Sequence, residues 1–114
     1  MPKPLKLLHF AEVENEKRWT YALKIVFNYL TINKLTITSY YQTKPGREMI
    51  TNELIWSMFQ EKLHQQVLRP TNYQGKRKVY KWEEFYEGRK YRLFFWFEDN
   101  SPDWLWTRNI YPIS

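Results

Sequence analysis

The side chains in this chain best suited to chemistry are arginine, lysine and tyrosine. Arg92 and Arg108 each interrupt an otherwise aromatic and apolar run, Y-R-L-F-F-W-F-E-D and W-L-W-T-R-N-I-Y-P, and Tyr111 closes the second run. A charged side chain in such a row is costly unless it is paired or lies at a rim. Pairing with Glu84, Glu98 or Asp103 is one outcome. The other is a cationic clamp on a phosphodiester, which a guanidinium holds by parallel hydrogen bonds and stabilises as charge develops.

Other catalytic sets are missing. The chain has no cysteine, which removes thiolate chemistry and disulfides and fits a reducing compartment. It has no glycine-rich phosphate loop and no H-E-x-x-H, and its two histidines, His9 and His64, stand far apart. Glu83 and Glu84 are consecutive, so on a strand they face opposite ways and make no carboxylate pair. Asp99 and Asp103 flank a turn-like segment and shape it. Nothing in this set calls for a metal or a cofactor.

The formal charge is +6, a balance that favours an anionic partner. The excess is local. Between Arg69 and Arg92 there are eight basic and three acidic residues, an excess of five. Lys76-Arg77-Lys78 beside Tyr80 and Trp82, with Arg89 and Lys90 further on, has the types that contact phosphates and stack on bases. A solvated sheet edge guarded by lysines is the alternative. Lys44 and Arg47, with Tyr40, Tyr41 and Gln42, form a second polar group. The RNA-binding candidates are therefore Lys44, Arg47, Lys76, Arg77, Lys78, Arg89 and Lys90.

The elements that would position these residues follow from periodicity and turn signals. Val79–Tyr86, Lys90–Phe97 and Trp104–Tyr111 read as three antiparallel strands. They are joined by Glu87-Gly88 and by the loop Asp99-Asn100-Ser101-Pro102-Asp103. Alternation puts Leu93 and Phe95 on one face of the middle strand, and Arg92, Phe94 and Trp96 on the other. In the third strand it groups Trp104, Trp106, Arg108 and Ile110 against Leu105, Thr107, Asn109 and Tyr111. The register sets Arg92 opposite Ile110 or Asn109, so Arg92, Arg108 and Tyr111 converge at one end of the sheet.

Trp19, Ala22, Leu23, Val26, Phe27 and Leu30 form a helical stripe, which predicts a helix over Glu16–Leu30 with Asn15 as N-cap. Leu5–Phe10 reads as a strand or an arm, and Asn33–Tyr41 as a strand or a connector. A second helix opens at Thr51, its N-cap, and buries Leu54, Ile55, Met58, Phe59 and Leu63. The expected fold is a single α+β domain over residues 1–114, with two helices packed on a three- to four-stranded antiparallel sheet. No apolar run is long enough to span a bilayer, and the start has no signal-peptide pattern. A cytoplasmic location is expected.

This order of elements, with Y-R-hydrophobics in the middle strand and R-x-x-Y ending the last, resembles the RelE/BrnT/MqsR-type ribonuclease toxins of toxin–antitoxin systems. The likeness covers about residues 16–112. It implies metal-independent cleavage of mRNA, often on the ribosome, and neutralisation by a cognate antitoxin protein. On this chain it implies a catalytic set of Arg92, Arg108, Tyr111 and Lys81. The RNA 2′-hydroxyl would be the nucleophile, arginine would stabilise the phosphorus-centred charge, and Tyr111 or a lysine would move protons. Some branches place a histidine after a T-x-T-like segment, where this chain has Tyr40-Tyr41. The alternative is a non-catalytic module that binds RNA, or an inhibitor that binds an acidic partner.

Overall fold

The computed structural model describes residues 5–113. Seven strands form one sheet: β1 (Leu7–Val13), β2 (Glu16–Phe27), β3 (Leu30–Thr38), β4 (Asn72–Gln74), β5 (Arg77–Tyr86), β6 (Arg89–Glu98) and β7 (Ser101–Pro112). Their spatial order is β1-β2-β3-β7-β6-β5-β4. β1–β3 and β4–β7 are two antiparallel meanders, joined where β3 runs parallel to β7 from Lys34↔Trp104 to Ile37↔Thr107. One helix, α1 (Asn52–Met58), connects the two and runs on as a π-helical turn over Phe59–Leu63. The expected architecture of two helices on a small antiparallel sheet is thus overturned: the sheet is mixed and twice as wide, and it has one helical cover.

The segment expected as the first helix, Glu16–Leu30, is strand β2 and the hairpin turn that follows it. Along it Trp19, Tyr21, Leu23, Ile25 and Phe27 also alternate, and Tyr21, Leu23, Ile25 and Phe27 are buried. The stripe fits both periods, so the turns decide between them. Glu14 and Asn15 take φ of 51° and 67°, and Asn28 and Tyr29 take 50° and 65°. Two consecutive residues with positive φ make the tight turn whose twist matches a hairpin, and asparagine tolerates it. Asn15 is therefore a turn residue and no helix cap. Glu87 and Gly88 repeat the device at 51° and 80°, as the sequence predicts.

Asn28 also ties the second turn down. Its Oδ1 accepts from the Leu68 N–H at 2.8 Å, and its Nδ2 donates to the Leu68 carbonyl at 3.1 Å and to the Tyr80 hydroxyl at 3.3 Å. The remaining free edge of β2 is closed by the end of the helix. Gln60 exchanges hydrogen bonds with the Lys24 backbone, at 3.2 and 2.9 Å, as a neighbouring strand would. His64 Nδ1 accepts from the Val26 N–H at 3.0 Å. These bonds satisfy backbone groups that a helix over the same residues would have paired internally.

The second expected helix is present. Thr51 Oγ1 accepts from the Leu54 N–H at 3.1 Å, the capping geometry read from the sequence. Ile55, Met58, Phe59 and Leu63 are fully buried. They cover one sheet face, where Phe95 meets Phe27 and Phe59 at 5.4 Å, Tyr80 at 5.2 Å and Trp82 at 6.1 Å between ring centroids. Tyr80 and Trp82 are core residues, so they do not stack on a ligand beside Lys76–Lys78.

A β-bulge corrects the alternation in β7. Phe94 pairs with Asn109 but Phe95 with Thr107, leaving Arg108 as the extra residue. The bulge shifts the pattern by one. Leu105, Thr107 and Ile110 are therefore buried, and Trp104, Trp106, Asn109 and Tyr111 fall on the opposite, helix-free face. Arg92 pairs with Tyr111, one step beyond the expected register.

Candidate nucleic-acid interface

The helix-free face is built from the residues whose partners in the ladder share it: Arg18, Thr20, Thr36 and Thr38, then Trp104, Trp106, Asn109 and Tyr111, then Arg92, Phe94 and Trp96, then Arg77, Lys81 and Glu83. Trp96 and Trp106 lie with ring centroids 6.4 Å apart and planes 17° from parallel, and Trp106 and Trp104 lie at 6.2 Å and 27°. The three indoles form a continuous row across β6 and β7. Two of their edges are fixed. Trp106 Nε1 donates to Glu98 at 2.9 Å, and Trp104 Nε1 donates to Thr36 Oγ1 at 2.8 Å. Thr36 in turn shares a 2.7 Å bond with Thr20. All three indoles remain partly exposed.

A cation accompanies each indole: Arg77 at 5.2 Å from Trp96, Arg18 at 5.4 Å from Trp106 and Lys34 at 4.9 Å from Trp104. The face holds an open groove of about 890 Å³. Phe94, Trp96 and Trp106 lie in it, and both sheet margins contribute walls, Glu14 and Glu16 on one side and Asn72 and Gln74 on the other. The sheet curls enough to bring its two edges to the same groove.

The predicted catalytic residues separate into two groups. Arg92 Nη1 donates to the Tyr111 hydroxyl at 3.3 Å, and Arg92 Nε donates to Glu83 at 2.6 Å. Arg92 thus meets Tyr111 as expected. The hydrogen bond from Arg92 holds the Glu83 carboxyl below the ordinary carboxylate range. The same two contacts, Tyr111 first and Glu83 second, raise the Arg92 guanidinium further. Lys81 is exposed on this face, across the ladder from Phe94. Arg108 does not join them. The bulge turns it to Glu16, at 3.1 Å, and over the Tyr40 ring at 4.2 Å. Both arginines do carry a carboxylate, though neither of them Glu84, Glu98 or Asp103.

The predicted RNA-binding residues are divided by the pleat. Arg77 enters the groove, with Asp99 at 3.7 Å. Lys78, one position on, lines a separate hollow with Tyr80, Phe97 and Pro102. Lys76 sits in the β4–β5 turn and Arg89 beside the Glu87-Gly88 turn, both exposed. Lys90 pairs loosely with Glu83 at 4.0 Å. Lys44 and Arg47 reach the open face from the loop before α1, over Tyr40 and Tyr111, each at 5.0 Å.

Sequence reasoning missed Arg18, Glu16 and Lys34, which it had placed in or after a helix, and the indole row itself. The signal was present in the even-numbered residues of β2 and in the paired Trp104 and Trp106. Assigning them to one face with Trp96 requires the cross-strand register. Compared with models of known families, with curated proteins and with solved structures, the chain matches none. Among the described residues no helix is long and apolar enough to cross a membrane.

Proposed function

We propose that this protein binds single-stranded RNA across the open face of its sheet. The observation that carries the reading is the row Trp96–Trp106–Trp104, left uncovered by the helix and flanked by Arg77, Arg18 and Lys34. Indole faces stack on any base, about 1–3 kcal/mol each, once the cations that lie over them swing out to the phosphates between bases. The chain as a whole carries a formal charge of +6, which favours an anionic partner. An RNA partner goes with a cytoplasmic location.

The test is a titration of a fluorescein-labelled oligouridylate of about ten nucleotides, followed by anisotropy and by quenching of tryptophan emission. Micromolar binding that quenches tryptophan and weakens with salt is expected. No binding at about 50 mM salt with about 100 µM protein refutes it.

A second reading is favoured by one contact, the 3.3 Å hydrogen bond between Arg92 and the Tyr111 hydroxyl. In it the protein is an endoribonuclease of the toxin kind, with a cognate antitoxin and, in some cases, the ribosome as partners. The 2′-oxygen of RNA attacks the adjacent phosphorus and the bond to the 5′-oxygen breaks. The products carry a 2′,3′-cyclic phosphate and a 5′-hydroxyl. The 2′-hydroxyl proton passes to solvent, Arg92 stabilises the charge on the phosphoryl oxygens, and Lys81 or Tyr111 protonates the leaving oxygen. The oligouridylate run on a gel separates the readings. Intact RNA after binding rejects cleavage, while cyclic-phosphate ends that vanish with the 2′-deoxy oligonucleotide establish it.

A further inference from the structure

The loop between β3 and α1 brings two cations to the open face that the indole row does not use. Lys44 lies 5.0 Å from the Tyr40 ring centroid and Arg47 lies 5.0 Å from that of Tyr111. Arg47 Nη1 is steadied by Asn109 Oδ1 at 3.2 Å. Each tyrosine already carries a strand arginine, Arg108 at 4.2 Å from Tyr40 and Arg92 at 5.7 Å from Tyr111.

Each strand arginine shares its carboxylate with a second cation: Glu16 lies against Arg108 and Arg18, and Glu83 against Arg92 and Lys90. The loop cations have no carboxylate: among the described residues neither Lys44 nor Arg47 makes an ion pair. Glu48, the acid nearest in sequence, accepts instead from the Gly46 N–H at 3.4 Å. Around the two tyrosines, Lys44, Arg47, Arg92 and Arg108, with Arg18 and Lys90 on the same two carboxylates, make six cations to two carboxylates. Like charges held together in this way repel, and an anion between them relieves the repulsion.

We propose that Arg47 and Arg92 form a phosphate clamp on Tyr111, with Lys44 and Arg108 as its outer cations. Two guanidinium groups offer a phosphate paired donors in the geometry that oxyanions prefer. The Tyr111 oxygen accepts from Arg92, so its own proton is free to point at the phosphate as a further donor. The clamp deepens the RNA-binding reading and rests on it for the source of the phosphate. The chemistry also suits a free or terminal phosphomonoester. On the RNA reading, the clamp fixes one backbone phosphate while the indole row takes the bases, which sets the direction of the strand across the sheet.

The experiment follows the side-chain Nε–Hε signals of Arg47 and Arg92 and the indole Nε1–H signals in nitrogen-15 correlation spectra of the whole protein. Arg47→Lys and Arg92→Lys assign the arginine signals. The probes are inorganic phosphate and the oligouridylate, with and without a 5′-phosphate. Arginine and indole signals moving together with the oligonucleotide establishes the clamp within the RNA site. A stronger effect of the 5′-phosphorylated form identifies a terminal phosphate as the ligand, and equal effects identify an internal one. Arg47→Ala should then weaken oligonucleotide binding about tenfold and lower the log–log salt slope by about 0.7.

If inorganic phosphate moves the two arginine signals but the oligonucleotide does not bind, the RNA reading fails and the clamp stands as a phosphomonoester site. If the oligonucleotide moves the indoles and leaves Arg47 and Arg92 unmoved, the clamp is overturned and the RNA reading stands. If neither probe moves any of these signals, both are overturned.

Discussion

Trp106 is the position at which the RNA-binding reading is most exposed to test. It is the middle indole of the row, with Trp96 and Trp104 on either side at 6.4 and 6.2 Å. Trp106→Ala removes one stacking surface and separates the other two. Loss of one base–aromatic stack should weaken oligouridylate binding by about 1–3 kcal/mol, roughly 5–150-fold. The cost to folding should be of similar size. The indole is only partly buried, but its specific ties are the hydrogen bond to Glu98, the approach of Arg18 and the stacks on Trp96 and Trp104. Those sum to about 2–5 kcal/mol. Because no cation is removed, the slope of log affinity against log salt should stay where it was while the affinity drops. Anisotropy titrations over a range of salt, with urea unfolding of the same samples, separate the terms. An affinity within about twofold of the parent, in a variant that folds, refutes base stacking on this row. A lower slope at unchanged affinity would assign the contact to charge alone.

The other predictions follow from the same geometry. Phe95→Ala, which removes a ring touching four other aromatic residues, should cost about 3–5 kcal/mol in urea unfolding; less than about 1 would contradict its central place. Arg77→Ala should lower the RNA salt slope by about 0.7 and Lys78→Ala should leave it alone, since the pleat sends them to opposite faces; equal effects would refute that division. Asn28→Ala strands both backbone groups of Leu68 and puts alanine, which tolerates the left-handed region less well than asparagine, at φ 50°; about 2–3 kcal/mol of stability should go, and a loss under about 0.5 would show the turn to be held by other contacts. Glu83 has a folded-state pKa below its ordinary 4.5, so its contribution is complete above that value and is lost as pH falls through the lowered one. Glu83→Gln should therefore flatten the decline of the urea midpoint below about pH 4.5, and parallel curves for variant and parent would count against the Arg92–Glu83 bond.

What the sequence determined by itself was local. Glu87-Gly88 specifies a hairpin because a positive φ is cheap at glycine. The alternation on either side of it placed β5 and β6 and buried Leu93 and Phe95 as observed. Thr51 and the stripe from Ile55 to Leu63 specified the one helix, since a capping hydroxyl and an apolar face act within a few residues of each other. The pairing of Arg92 with Tyr111 was legible to within one position, because a short loop limits how far a register can slip. Tertiary structure decided the rest. Residues 16–27 carry apolar positions that satisfy helix and strand periods alike. The choice fell to partners distant in sequence: β1 and β3 on either side, and Gln60 and His64 supplying bonds to the free edge. The bulge at Arg108 is invisible to strict alternation, yet it moves Tyr111 onto the open face and sends Arg108 to Glu16. The indole row exists only across strands. Trp96, Trp104 and Trp106 share a surface because β7 lies between β3 and β6 in one register, which pairing over the whole chain fixes and no single segment contains.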